Sequence, residues 1–342
     1  MRRLPPAWFL FFFAPLTAEY VSGSSSFLNP FVVLANLLLY GAGTLLIREL
    51  RVRWGKGWLA VFILAAAYVV AEEGLMLNTL FDPTQNATGR ALGVNWVWTA
   101  GMLIVHSLVS IFTPILLAEA IYDQQKDESW IKPRTCWWLL AAFAANVFGL
   151  GRLIAPTNRP GIEMYLVEAA FIGGCLWLAR HAPPVARPEV AAIALRLPRP
   201  RNSGRNDCPI AEAPSEAVSE RTSKSLFARS LIGTTVTMVV GFATPTLPIP
   251  AVVKVVVMLA IYLAFLEMLR RDGTFRPSMN PRSKLAVAAG IISFWISISP
   301  FKSLALRNIG PAFFGALMAV FLFRVWRRLR KGLPIIWAKG TK

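Results

Sequence analysis

Glu72 and Glu73 stand side by side in an apolar stretch, and His106 lies in the next one. Carboxylates and imidazole exchange protons near neutral pH, so such a set could run an acid–base step or hold a proton or cation. A charged residue in hydrocarbon costs about 2.5 to 3.5 kcal/mol on insertion scales, which makes each one retained there a candidate for function. Glu19, Asn146, Arg152 and Glu168 also fall within or at the edge of apolar stretches. At 1.5 Å per residue, the two glutamates lie roughly 23 Å along their span from its basic end, in the outer half of a bilayer. The other polar groups fall near the same level.

Direction around the helix narrows the set. His106, Ser110 and Thr113 follow at i, i+4 and i+7, with Thr99 one heptad earlier, a polar stripe that is expected to face inward. Neighbours on an ideal helix point about 100° apart, so Glu72 and Glu73 are expected to take different roles, one central and one flanking. As a catalytic set, one glutamate would activate water, His106 would polarise a carbonyl, and Asn146 would donate a hydrogen bond. As a binding set, Glu19, Glu168 and Arg152 would complete a site for a proton or small solute. The same groups could instead only lock helices together, with Arg152 pairing to a glutamate. The run Gly23-Ser24-Ser25-Ser26 reads as an outside loop, since no base is placed to make a serine nucleophilic.

The elements that must position these residues are membrane helices. Of the 342 residues, 55% are hydrophobic and 16% charged, a balance that excludes an ordinary soluble enzyme. Stretches such as 57–80 and 251–269 are apolar on all sides and lack the alternation of an outer-membrane barrel strand. The reading is an all-α polytopic bundle of about ten spans, near 7–22, 28–48, 57–80, 95–121, 136–154, 162–179, 229–249, 251–269, 285–300 and 308–325. A six-helix membrane domain (1–180) carries the polar cluster. A Pro-, Arg- and Ser-rich stretch (181–227) reads as a disordered cytoplasmic linker, followed by a four-helix domain (228–326) and a basic tail (327–342).

Charge orients the bundle. Lys and Arg outnumber Asp and Glu by 36 to 18, and the basic residues cluster in alternate loops, in the linker and in the tail. Arg90, Arg152, Arg159, Lys302 and Arg307 fall on the other side, and Lys254 falls inside a span. This partition predicts both termini in the cytoplasm of a bacterial inner membrane, with anionic lipid headgroups rather than nucleic acid as the partner of the positive charge. A protein partner is left open. The opening Arg2-Arg3 and the following apolar run also have the form of a secretory signal, but Glu19 and the continuing helical pattern favour a retained span. Asn86-Ala87-Thr88 matches a glycosylation acceptor in an outside loop. Cys136, Cys175 and Cys208 have no paired spacing, and with His106 and His181 as the two histidines neither a metal site nor another cofactor is expected.

Two resemblances follow. Glu72-Glu73 with His106 on the next helix resembles the CPBP family of intramembrane glutamic proteases, which pairs EExxxR with FxxxH; here Leu77 and Met102 replace the motif's Arg and Phe, and no second membrane histidine follows. That resemblance implies a glutamate-activated water and a membrane-embedded substrate. The strings PLTAEYVSGSS (15–25), LLIRELRVRWGKGW (45–58), AEEGLMLNTLFDP (71–83) and NWVW (95–98) resemble a group of uncharacterised multi-pass bacterial membrane proteins, and that resemblance implies topology alone. Three functions are therefore expected in turn: a small-solute or proton-coupled transporter, an intramembrane glutamic hydrolase, or a non-catalytic assembly protein.

Overall fold

Proline and asparagine mark where many of the helices begin. Pro6, Pro30, Pro133, Pro281 and Pro311 occupy first-turn positions, where the missing N–H leaves no helical bond unmade. Asn29 and Asn280 cap their helices through side-chain oxygens, Asn280 accepting from Ser283 N–H at 2.8 Å. The computed structural model describes residues 4–84, 88–153, 159–185 and 216–333, with backbone only at 151, 152 and 216–221.

Ten helices follow in chain order among the described residues. Helix α1 (Pro6–Pro15) continues as a wider turn, Leu16–Tyr20. Then come α2 (Pro30–Arg53), α3 (Trp58–Met76), α4 (Trp96–Ile121), α5 (Pro133–Phe148) and α6 (Ile162–His181). The chain ends with α7 (Glu216–Ala243), α8 (Ala251–Arg271), α9 (Pro281–Leu306) and α10 (Gly310–Arg330). Seven of them, α2, α3, α4, α6, α7, α8 and α9, are long and apolar enough to cross a bilayer. The strand content among the described residues is one two-residue hairpin, Arg90–Ala91 against Val94–Asn95, turning at Leu92 and Gly93 with positive φ.

Helix α4 is the pillar of the bundle. Its Leu108, Ile111, Phe112, Ile115 and Leu116 are fully buried. The later helices pack directly on the earlier ones: Tyr262 of α8 meets Ser107 of α4 at 2.7 Å between hydroxyls, and Phe321 of α10 lies against Phe9 and Phe13 of α1. On the outside, Trp137, Ile162, Leu166, Phe242, Val252 and Phe313 are exposed, an apolar surface that a water-soluble protein would not tolerate.

One expectation shifts at the linker. Residues 216–227, read as disordered, form the first turns of α7, because Glu216-Ala-Val-Ser-Glu-Arg is rich in helix formers despite its polarity. The rest of that stretch, 186–215, lies outside the described residues, as do Asn86, Ala87 and tail residues 334–342.

Candidate functional site

Four helices each widen into a π-helical turn at one level: Leu16–Tyr20 in α1, Leu37–Gly41 in α2, Val70–Met76 in α3 and His106–Phe112 in α4. Such turns are rare and recur at functional sites, because an added residue per turn re-aims side chains that a regular helix would disperse. Here they deliver Glu19, Tyr40, the Glu72–Glu73 pair and His106 to one point.

The imidazole of His106 is the hub. Its Nε2 lies 3.1 Å from Glu73 Oε1, and its Nδ1 lies 3.4 Å from Glu72 Oε2 and 3.1 Å from Ser110 Oγ. Both glutamates therefore face the same histidine, against the expectation that one would be peripheral. The reason is local: α3 is π-helical over Val70–Met76, so consecutive side chains diverge less than on an ideal helix, and the two ring nitrogens offer separate edges. Glu72, Glu73 and His106 are 1%, 5% and 6% exposed.

Hydrogen bonds extend the cluster in both directions. The Tyr40 hydroxyl contacts Glu72 Oε1 and lies 2.5 Å from Glu19 Oε1, while Ser25 donates to Glu19 Oε2 at 2.5 Å. On the other flank Thr79 Oγ1 donates to Glu73 Oε2, and Trp98 Nε1 reaches the same oxygen at 3.4 Å. The result is one chain, Ser25–Glu19–Tyr40–Glu72–His106–Glu73–Thr79. A tyrosine hydroxyl has a single proton, so its two carboxyl contacts are both hydrogen bonds only when a further proton sits on Glu19 or Glu72. The loop bearing Thr79 is clamped by the hairpin, where Asn95 Nδ2 donates to the carbonyls of Thr79 and Asp82 and Arg90 Nη1 donates to that of Phe81.

Other expected site residues lie apart from the imidazole. Asn146 Nδ2 donates to the Ala35 carbonyl at 3.0 Å and ties α5 to α2. Thr113 bonds back to the Leu108 carbonyl of its own helix and Thr99 to the carbonyl of Asn95 just before it, so the polar stripe contributes Ser110 and His106 alone. The Arg152 side chain lies outside the description. Glu168 is buried on α6 with its carboxyl group against Gly74, where a Cβ would have to displace it. Gly74→Ala is accordingly expected to destabilise the fold by about 1 to 3 kcal/mol. Gly241→Ala, which meets open space, should be neutral or slightly stabilising, and thermal unfolding in detergent compares the two.

Tyr40, Ser25 and Thr79 were not singled out by sequence. Tyr40 did leave a signal, a phenol inside an apolar run that must find a polar partner. The metal question also changes. Glu72, Glu73 and His106 can each offer a ligand atom, all within 4.8 Å of one another, a mixed N/O set suited to Zn²⁺, Mn²⁺ or Fe²⁺. Counting histidines misses such a set because carboxylates supply two of its ligands. Glu72 Oε2 is the carboxylate oxygen of the pair without a hydrogen-bond partner, so an ion would have to displace several bonds already made.

Beside the cluster a cavity of about 250 Å³ runs between α4 and α7, bounded by Trp98, Met102, Val105, Met238 and Phe242. Trp98 both lines the cavity and contacts Glu73. Beyond Ser110, Ile111, Phe112, Ile115 and Leu116 of α4 are fully buried, with Thr44 and Thr113 buried among them.

A family model described as "Uncharacterized membrane protein family" matches residues 9–331. The chain belongs to this family. It is thus a membrane protein, and the exposed apolar faces of its outer helices meet lipid. No curated protein and no solved structure matches it. The family match lends no support to the likeness to CPBP proteases read from Glu72, Glu73 and His106.

Proposed function

We propose that this protein is a multi-pass hydrolase of the bacterial inner membrane that uses Glu73 and His106 to add water across a carbonyl bond of a membrane-embedded peptide or lipid. The carrying observation is the Glu73–His106 contact of 3.1 Å, with Glu72 on the opposite ring nitrogen and Trp98 between the pair and an apolar cavity. Ten crossings with both termini cytoplasmic complete the reading, supported by the gathering of Arg51, Lys126, Arg276 and Lys284 around one cavity at the far end of the bundle.

In this reading the substrate enters through the cavity between α4 and α7, and the indole of Trp98 swings off Glu73 to admit water. Glu73 takes one proton from the water as its oxygen bonds to the carbonyl carbon. In this scheme His106 starts protonated between the two carboxylates and gives its proton to the leaving oxygen or nitrogen as that bond breaks. Glu73 then returns its proton to the ring. One water is consumed and the site is restored.

The chain from Ser25 to Glu73 favours a second reading, a proton-coupled transporter that loads protons from the outer face. Its difficulty is the close packing beyond Ser110, where Ile111, Phe112, Ile115 and Leu116 are fully buried and a transport cycle would have to open a path.

Membranes from cells making wild-type or His106→Gln protein at equal levels separate the two. Hydrolysis predicts peptide or lipid products present with the wild type and missing from the variant. Identical peptide and lipid profiles would sink the hydrolase reading, and pH-dependent uptake lost in the same variant would replace it.

A further inference from the structure

At the end of the bundle far from His106, a second cavity of about 390 Å³ opens among α2, α3, α4 and α9. Its wall carries five cations, Arg51, Lys56, Lys126, Arg276 and Lys284, against two acidic residues, Glu119 and Asp127. Trp58 and Phe275 add aromatic faces, with the Arg51 guanidinium 4.8 Å from the Trp58 ring centroid.

Its internal pairing leaves positive charge over. Glu119 is engaged by Arg51, with Nη2–Oε1 at 2.6 Å, and lies 3.7 Å from Arg48 Nε. A single oxygen of Asp123 serves both Lys284, at 2.7 Å, and Lys126, at 3.1 Å. The Nε of Arg51 is buried with no hydrogen-bond acceptor. Arg51 and Lys284 are buried beside Glu119 and Asp123, whereas Lys56 and Lys126 are half-buried and Arg276 is exposed; the five cations outnumber Glu119, Asp123 and Asp127, so a matching anion is favoured. The volume suits a small polar group rather than a bare ion.

We infer that this cavity binds a phosphate-bearing anion, with Arg51 and Lys284 beneath the phosphate, Lys126 and Arg276 at its rim, and Trp58 and Phe275 against the apolar part of the ligand. Cationic pockets between helix ends are where anionic headgroups dock. The site stands independently of the hydrolase reading and could anchor the bundle to anionic lipid or sense a soluble phosphate ester.

The test uses the full-length, delipidated protein in detergent, with native mass spectrometry and thermal unfolding as readouts. The probes are phosphatidylglycerol, phosphatidylcholine and glycerol 3-phosphate. Wild type is compared with Lys126→Gln/Arg276→Gln, and with Arg276→Gln alone should the double variant fail to fold. Phosphatidylglycerol should bind the wild type and raise its unfolding temperature. Its affinity should fall at least tenfold in the double variant and by a smaller, measurable factor in Arg276→Gln alone. Glycerol 3-phosphate binding as tightly, with the same loss in the variants, would identify a soluble ester as the source of the phosphate. Equal binding of phosphatidylglycerol and phosphatidylcholine, or phosphatidylglycerol affinity unchanged in the variants, would overturn the inference.

Discussion

Glu73→Gln is expected to slow product formation by about 10²- to 10⁴-fold, the range contributed by a positioned general base. The amide keeps the shape of the carboxylate. Its oxygen can still accept from Thr79 and Trp98, which converge on Glu73 Oε2, so the loop and the indole keep their anchor. What disappears is the capacity to take a proton from water, together with the acceptor that Oε1 offers to His106 Nε2. Glu72→Gln should be milder, about tenfold or less, because Glu72 acts through the Nδ1 side of His106 and Tyr40 retains an acceptor there. Glu72 is a positioning residue in this scheme, and its substitution should alter the pH profile of the rate more than its maximum. Initial rates in proteoliposomes, measured on the substrate that the membrane comparison identifies, decide between them. Unfolding temperatures near the wild-type value would show that chemistry alone was removed. Full activity in both variants would end the acid–base assignment.

The contrast between the two glutamates marks where sequence reasoning runs out. Apolar runs with basic ends reveal the helices, because hydrocarbon leaves a backbone no other way to satisfy its hydrogen bonds. They also place Glu19, Glu72, Glu73 and His106 at one level; the last three meet at the imidazole, and Glu19 reaches them only through Tyr40. Direction is harder to read. An ideal helix sends Glu72 and Glu73 about 100° apart, whereas α3 is π-helical there and presents both to one ring. Nothing in the residue types of Val70–Met76 announces that turn, since it is selected by what the neighbouring helices offer. Asn146 shows the converse. Its depth and polarity suit a catalytic donor, but its amide faces α2 and satisfies Ala35. Tyr40 joins Glu19 to Glu72 across partners 21 and 32 residues away, a pairing that only tertiary structure creates.

Arg48→Ala is expected to be the most damaging single change to stability, costing about 3 to 5 kcal/mol, the usual penalty for removing one partner from a buried ion network. By sequence Arg48 is one of many arginines in a cytoplasmic loop, yet its side chain is fully buried. Nη1 donates to Glu49 Oε1 and to the Glu128 carbonyl, each at 2.7 Å. Nη2 donates to the carbonyls of Lys126 at 2.7 Å and Gln125 at 3.2 Å. The guanidinium also stacks 3.6 Å from the centroid of Trp130. Truncation would leave the buried carboxylate of Glu49 with Ser129, the Trp130 N–H and the more distant Arg53, weaken the charge balance at Glu119 and take their arginine donor from the carbonyls of Lys126 and Glu128, while that of Gln125 keeps Trp130 Nε1. Arg48→Lys should recover only part of the loss, since a single ammonium cannot span those acceptors or lie flat on an indole. Thermal unfolding in detergent, with proteolysis of the loop around 125–130, reads both effects. The same loop carries Lys126 to the rim of the cationic cavity, so Arg48→Ala should weaken phosphate binding as it loosens the loop. A variant that unfolds at the wild-type temperature and resists cleavage would mean that the α2 end is held by something other than this arginine.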